Sequence, residues 1–167
     1  MLEVSTLNSL RFWIDMGTDA HVFRCRVSLK PHGVEHPRCK ILLDDHTWFD
    51  QVLIENTTVD INQELTTGSH RLSIQYLEKS QIDHGQAIEI QALDIHDITD
   101  RRFIWRGVYR PEYPEPWATQ QRELGMNLEP ELTNTDYLGW SGRWDLLFDS
   151  PVFTWIHQVQ NLGWIYD

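Results

Sequence analysis

Short stretches in which every second residue is apolar dominate this chain and restrict the folds open to it. The clearest are Phe23–Leu29, Leu72–Tyr76 and Trp144–Phe148, where apolar positions alternate with polar ones except at Leu147. A repeat of two is typical of a β-strand with one buried and one solvated face. Such strands, with little helical pattern between them, predict an all-β fold: an antiparallel, jelly-roll-like β-sandwich. Shorter predicted strands are Leu10–Ile14, Lys40–Leu43, Trp48–Ile54, Phe103–Val108 and Phe153–Ile156.

One predicted strand contains a change of phase. Its apolar positions are Ile88 and Ile90, followed by Leu93 and Ile95, so the alternation shifts by one residue near Ala92. In a regular strand this shift would turn the second pair of side chains out of the core. We therefore predict a β-bulge or a sharp bend near Ala92, which would turn both pairs inwards.

The residues 110–134 break the strand pattern. Pro111, Pro114 and Pro116 fix the backbone angle φ and remove hydrogen-bond donors, which favours an extended path. Only Ala118–Leu124, with Gly125 behind it, has a helical pattern. We predict a sandwich core over residues 1–109, an extended arm rich in proline and aromatic residues over 110–134, and C-terminal strands with an aromatic tail over 135–167. The strands of this last part would complete the sandwich.

The composition restricts the range of partners. The formal net charge is −11, which argues against binding to a nucleic-acid backbone or to an anionic membrane. The chain starts without the basic residues and apolar run of a signal peptide. Two cysteines, Cys25 and Cys39, are too few for a disulfide framework. We therefore expect a protein kept in a reducing cytoplasm, or a virion component assembled there.

Aromatic residues concentrate in the second half of the chain, where six of the eight tryptophans follow residue 100. By their alternation, Trp105, Trp144 and Trp155 are predicted as core residues. A second group lies beside Pro or Gly on predicted loops or in the tail, where such rings stack on sugars or anchor protein interfaces. The predicted interface residues are Tyr109, Tyr113, Trp117, Trp140 and Trp164.

Two clusters contain residues that bind metals. Asp94, Asp97 and Asp100 surround His96 at a strand end, and carboxylates at such a corner are calcium ligands. The alternative is a solvated strand end with turn-forming aspartates. The second cluster, a weaker zinc candidate, consists of His32, His36 and Cys39 with Cys25 upstream, but it lacks a paired Cys-x-x-Cys motif. We expect no resident cofactor, with calcium at the three aspartates as the alternative.

Catalytic motifs are weak. Gly139-Trp140-Ser141-Gly142 is similar to a shortened nucleophile elbow, but Arg143 replaces the last glycine and a strand follows where a helix is required. The neighbours Ser69 and His70 would point to opposite faces of a strand. The chain has neither a P-loop nor a dinucleotide-binding fingerprint. We therefore expect a protein that is not an enzyme.

Two resemblances to known families add expectations. Within Val59–Ile98, the residues Leu65–Ile74 and Ala87–Ile95 resemble part of a carbohydrate-binding-module jelly roll. That resemblance implies a scaffold whose loops or concave face hold sugar or Ca²⁺. The block Phe103–Trp117, together with Phe153–Gln158, resembles virion proteins of tailed bacteriophages, which implies a structural or adsorption role.

These observations predict a non-enzymatic virion structural or assembly protein: a capsid decoration, a collar or a tail component. Its partners would be other virion proteins or copies of itself, held through the aromatic arm by burial of Tyr113, Trp117 and Trp164. The alternative is a glycan-binding module that acts in adsorption. It would use Trp117, Tyr113 or Trp140 as a stacking platform, and the aspartates would hold Ca²⁺ or sugar hydroxyls.

Overall fold

The computed structural model describes residues 20–160. The predicted strand Leu10–Ile14 and the predicted interface residue Trp164 lie outside this range. Within it the chain forms ten strands and three helices. The strands are β1 (Ala20–His32), β2 (Arg38–Leu43), β3 (His46–Val52), β4 (Thr57–Thr66), β5 (Gly68–Leu77), β6 (Ala87–Ile95), β7 (Ile98–Thr99), β8 (Val108–Pro111), β9 (Tyr137–Leu138) and β10 (Gly142–Ser150). The helices are α1 (Arg101–Trp105), α2 (Trp117–Glu123) and α3 (Val152–Gln160).

Two antiparallel sheets make up the sandwich, which confirms the predicted all-β fold. Sheet A has the order β4-β1-β6-β7, with the short β9 also paired to β6. Sheet B has the order β3-β2-β5-β10-β8. None of the described helices is long and apolar enough to cross a membrane.

The core lies between the inner faces of the two sheets. On β1 of sheet A, Phe23, Cys25, Val27 and Leu29 are all buried, as their alternation predicts. Phe23 stacks on Phe148 of sheet B with ring centroids 4.6 Å apart, a direct contact between the layers. Burial of each such side chain stabilises the fold by about 1.5–3 kcal/mol.

The predicted bulge in β6 is confirmed. Ser28 of β1 pairs with Ala92, but the next residue, Leu29, pairs with Ile90, so Gln91 is the extra residue. The extra residue restores the alternation on both sides, and Ile88, Ile90, Leu93 and Ile95 are all buried.

Two predicted strands are helices. The stretch Phe103–Val108 is divided between α1 and β8, because Asp100 caps α1 by accepting a hydrogen bond from the amide of Arg102. The stretch Phe153–Ile156 lies within α3, so residues 135–160 contribute β9, β10 and a helix. In α3 the buried residues follow the spacing i, i+3, i+4, i+7 of a helix face, namely Val152, Trp155, Ile156 and Val159.

The three tryptophans predicted as core residues have different outcomes. Trp144 in β10 is fully buried. Trp155 is also buried, but on α3, where it stacks on Phe103 with ring centroids 5.8 Å apart. Trp105 is 43% exposed, so its prediction as a core residue is wrong. A strand would have turned Phe103 and Trp105 to the same side, whereas α1 buries the adjacent Phe103 and Ile104.

Gly107 lies flat against the buried indole of Trp144, and we expect its replacement by alanine to destabilise the fold. A Cβ atom at this position would lie 2.1 Å from Cε2 and 2.2 Å from Nε1 of Trp144. Overpacking of this kind lowers the free energy of unfolding by about 1–3 kcal/mol, measurable by urea denaturation. Gly85→Ala is the control, because the nearest atom would be 3.6 Å from its Cβ. Equal stabilities of the two variants would contradict the prediction.

His70 is expected to make stability depend on pH. Its Nδ1 lies 2.8 Å from Oδ2 of Asp44 and its Nε2 lies 2.6 Å from the Thr66 carbonyl, two acceptors that both require a protonated ring nitrogen. Burial acts to lower the pKa of His70, but these hydrogen bonds and the charges of Asp44 and Asp149 outweigh it and raise the pKa.

Because the folded-state pKa is raised, this stabilisation is fully present below the unfolded pKa of about 6.5. It is lost as the pH rises through the folded-state pKa. Melting curves over this pH range should show the advantage of the wild type over His70→Gln shrinking as the pH increases. His36→Gln, at an exposed histidine, is the control. An advantage that grows with pH would refute the assignment.

Candidate functional site

The residues 110–134 fold back on their own chain, so the segment predicted as an extended arm is closed at its base. The segment leaves β8, forms α2 where a helix is predicted, and returns beside β8. Leu132 and Tyr109 then exchange two backbone hydrogen bonds of 2.7 and 2.8 Å. Arg110 also donates to Glu131 over 3.1 Å. The closed path holds the aromatic residues of this segment against sheet B.

Three half-buried aromatic rings meet where this segment reaches the turn before β10. Trp117 and Trp140 have ring centroids 4.7 Å apart and planes inclined by 40°. Tyr113 lies 6.4 Å from Trp117 and 6.2 Å from Trp140. The structure thus brings together three of the predicted interface residues, although Tyr113 and Trp140 are 27 residues apart in the sequence.

Tyr109 holds this cluster from below. It is predicted on a loop, but it lies in β8 and is only 1% exposed, so the loop placement is wrong. Strand alternation turns its ring into the core. Its hydroxyl donates to the carbonyl of Trp140 and accepts from the amide of Trp140 over 3.0 Å. Burial raises the pKa of this hydroxyl, so it remains a donor at any physiological pH.

The start of α2 is fixed by side chains of the same segment. Oε2 of Glu115 accepts from the hydroxyl of Thr119 over 2.6 Å and from its amide over 3.3 Å. The hydroxyl of Tyr113 donates to the Glu129 carbonyl over 2.8 Å. Burial also raises the pKa of Tyr113. These bonds position Trp117 and Tyr113 within the segment itself.

The opposite wall of the site comes from the loop after β5. Lys79 donates its amide to Oγ of Ser141 over 2.7 Å and its ammonium to the Gln86 carbonyl over 2.6 Å. The ammonium also lies 5.2 Å from the ring centroid of Trp140, a cation–π contact. Burial lowers the pKa of Lys79.

The buried side chain of Gln86 orders the same loop. Its Oε1 accepts from the hydroxyl of Tyr76 over 2.9 Å and from the amide of Ser80 over 2.7 Å. Oδ2 of Asp83 accepts from the amides of Glu35 and Val34 over 2.7 and 2.6 Å. These hydrogen bonds, that from Glu35 above all, lower the pKa of Asp83.

The resulting cleft, here called the aromatic groove, has a volume of about 330 Å³. Trp117, Trp140 and Pro114 provide its apolar surface, and Lys79, His84 and Glu112 are among its polar groups. Sequence reasoning missed the loop residues Lys79, Ser80 and His84. They carry no local motif, and only the pairing of β5 with β10 brings this loop to Trp140.

Two of the three aspartates predicted to hold calcium, Asp94 and Asp97, line one pocket with Asp60, whereas Asp100 does not line it. Asp94 accepts a hydrogen bond from the hydroxyl of Thr99. Asp97 lies 4.0 Å from Arg24 in an exposed ion pair, and Asp100 caps α1. Among the described residues, no group of three or more His, Cys, Asp or Glu side chains is placed to hold a metal ion. As placed here the three aspartates do not form a calcium site, and calcium at these residues stays a prediction.

The residues of the weaker zinc candidate are divided between the two sheets or have other partners. Cys25 lies in sheet A and Cys39 in sheet B, both buried, and burial raises the pKa of each thiol. A thiol held protonated is a poor zinc ligand. His32 instead pairs with Glu89 over 2.9 Å.

A comparison with protein families and with curated proteins finds no match. Among solved structures, the chain is similar to vCBM60 in complex with galactobiose, at a TM-score of 0.46 and 10% identity over 74% of this chain and 96% of that one. It is also similar to a selenomethionine form of vCBM60, described in connection with two families of calcium-dependent carbohydrate binding modules. There the TM-score is 0.46 and the identity 13%, over 74% of this chain and 89% of the other. Both solved structures are of vCBM60. The bacteriophage resemblance stays a prediction.

We expect that any effect of calcium on the melting temperature does not depend on Asp94 or Asp97. Because Asp94 and Asp97 have separate partners, Asp94→Asn and Asp97→Asn should leave any calcium-dependent rise in melting temperature as it is in the wild type. Thermal melts with added Ca²⁺ and with a chelator measure this. A calcium response that is present in the wild type and lost in either variant would contradict the prediction.

Proposed function

We propose that this protein is a non-catalytic β-sandwich module that binds a glycan in the aromatic groove. The observation that carries the proposal is the pair Trp117 and Trp140, with ring centroids 4.7 Å apart and half-buried in a groove whose other wall is polar. The hydrogen bonds of Tyr109 and Glu115 hold both rings in place before any ligand arrives.

A sugar ring matches such a groove chemically. Its C–H face is apolar and stacks on an indole, while its hydroxyls require donors and acceptors around the edge. Lys79, Glu112 and His84 supply these groups beside the indoles. Since the rings are already ordered, binding costs little conformational entropy. A sugar that makes only a small contact area can therefore still bind.

The hydrogen bonds in the groove favour binding over nucleophilic catalysis. The hydroxyl of Ser141 accepts from the amide of Lys79, and that of Ser80 accepts from the amides of Ile82 and Asp83. Neither hydroxyl is paired with a histidine that would activate it. Glu115, one of the two groove carboxylates, is already engaged at the start of α2.

A second candidate is the assembly role, in which a partner chain covers the same surface. It is favoured by two exposed apolar residues at the end of α2, Leu124 and Met126, which are 78% and 53% exposed on the segment that carries Trp117. The partner would be another virion protein or a second copy of this chain. The virion setting and assembly in a host cytoplasm stay predictions.

Replacement of Trp117 by alanine should abolish most glycan binding. Loss of a stacked tryptophan at the centre of a site costs about 2 kcal/mol, roughly a 30-fold loss of affinity. A glycan array identifies the ligand, and titration calorimetry measures the affinity of each variant. Trp105→Ala is the matched control, because this partly exposed tryptophan lies on α1 and outside the groove.

Two outcomes would count against the proposal. If no glycan binds the wild type, or if both variants bind equally well, the aromatic groove is not a sugar site. If Trp117→Ala instead changes the oligomeric state in sedimentation velocity, and Trp105→Ala does not, the assembly role takes its place.

A further inference from the structure

The outer face of sheet B carries a row of cationic side chains. Strand pairing places one residue from each of the five strands side by side: Asp50, Lys40, Gln75, Arg143 and Arg110. Their neighbours along each strand, such as Ile41, Ile74 and Trp144, are buried in the core, so the row faces outwards. Lys40, Arg143 and Arg110 are called the cation row below.

The arginines of this face outnumber the carboxylates that they meet. Arg143 donates to Asp145 over 2.7 Å and Arg110 does so over 3.3 Å, while Nε of Arg71 lies 3.8 Å from the same carboxylate. Three guanidinium groups thus surround one buried aspartate. The only other carboxylate paired with them in the described residues is Glu131, on Arg110.

Lys40 adds a further positive charge. The acidic residue beside it in the row, Asp50, pairs with Arg38 over 3.2 Å. No described carboxylate pairs with Lys40. With Arg38 and its partners Asp50 and Glu78 included, five cations and four carboxylates leave an excess of about one positive charge among these groups, on a chain whose net charge is −11.

Guanidinium donors of this face also remain free. Arg143 uses Nε for Asp145 and Nη2 for Ser73, and Arg110 uses Nη1 for Asp145 and Nε for Glu131. The described residues provide no acceptor for Nη1 of Arg143 or for Nη2 of Arg110. A carboxylate that approaches from solvent is the group that such donors bind best.

The cation row continues directly from the aromatic groove. Arg143 follows Ser141 by two residues and Arg110 precedes Glu112 by two, and Ser141 and Glu112 both line the groove. The amide of Glu112 donates to the carbonyl of Ser141 over 2.7 Å, which joins the end of β8 to the start of β10 at this point. Two residues of strand span about 7 Å, roughly the length of one sugar ring.

We propose that the natural ligand is an acidic glycan. One sugar stacks in the aromatic groove, and the carboxylate of a neighbouring uronic acid lies on the cation row. This inference rests on the proposed glycan-binding function and names its ligand class. An acidic peptide would also pair with the cation row, but polyglutamate has no ring that could stack on Trp117 and Trp140 in the adjoining groove. The continuous surface of cations and indoles therefore favours a charged sugar chain.

The test compares ligands that differ only in charge. Short oligomers of galacturonic, glucuronic and mannuronic acid are titrated into the protein, each beside its methyl ester, which keeps the sugar and removes the negative charge. At least one acid should bind about tenfold more tightly than its ester. A polyglutamate of equal charge is included, and it should bind more weakly than the preferred acid.

Lys40→Gln should weaken the preference for the acid and leave the affinity for the ester unchanged. Arg26→Gln is the matched control, since this arginine forms an exposed ion pair with Asp60 on sheet A. Circular dichroism checks that this variant is folded, as expected because no described ion pair depends on Lys40.

The outcomes separate the two proposals. If an acid and its ester bind equally, the glycan function stands and the acidic ligand class is overturned. If neutral glycans and acids all fail to bind, the function itself fails. If the acids bind but Trp117→Ala leaves their affinity unchanged, or if polyglutamate binds as tightly, the cation row is a separate site for anions and the continuous surface is refuted.

Discussion

The position of β10 between β5 and β8 determines where the groups of the site lie. At the start of β10, Gly142 faces Pro111 so closely that a Cβ atom on the glycine would lie 2.3 Å from the Arg110 carbonyl oxygen. Only glycine allows this approach. Because the three strands meet here, Ser141 bonds to both Lys79 and Glu112, and the loops that follow β5 and β8 enclose Trp140. A longer distance between the strands would open the groove.

The same strands place core residues and outward-facing polar residues at alternate positions. The inward row Ile41, Ile74, Trp144 and Tyr109 is buried, and each side chain contributes on the order of 1.5–3 kcal/mol. The outward row of Lys40, Arg143 and Arg110 lies one residue away. The carboxylate of Asp145 is buried, so its charge requires cationic partners for stability, and Arg143 and Arg110 supply them. Lys40 has no such role, because no described carboxylate pairs with it, and the proposed anionic ligand would give it one.

Local pattern was enough to predict much of the sandwich and less of the site. The alternation in Phe23–Leu29 and the phase change near Ala92 required only neighbouring residues, and both predictions are confirmed. The prediction of a strand at Phe153–Ile156 is wrong because a stretch of four residues fits a strand and a helix alike. The longer window up to Val159 shows the helical repeat. Trp117 and Trp140 were identified by their loop context, but the polar wall at Lys79 depends on a strand pairing that no local pattern reveals.

The distribution of tryptophans has a physical explanation in this geometry. Trp144 and Trp155 fill the sandwich, one on a strand and one on a helix. Trp117 and Trp140 remain half-buried, although exposure of an indole to water costs free energy. The hydroxyl of Tyr109 fixes the backbone of Trp140, and Glu115 fixes the start of α2, which carries Trp117. Rings held in this way lose little entropy when a ligand binds. The hydrogen bonds of Tyr109 and Glu115 therefore hold two half-buried aromatic side chains in a fixed arrangement, the surface on which the proposed function rests.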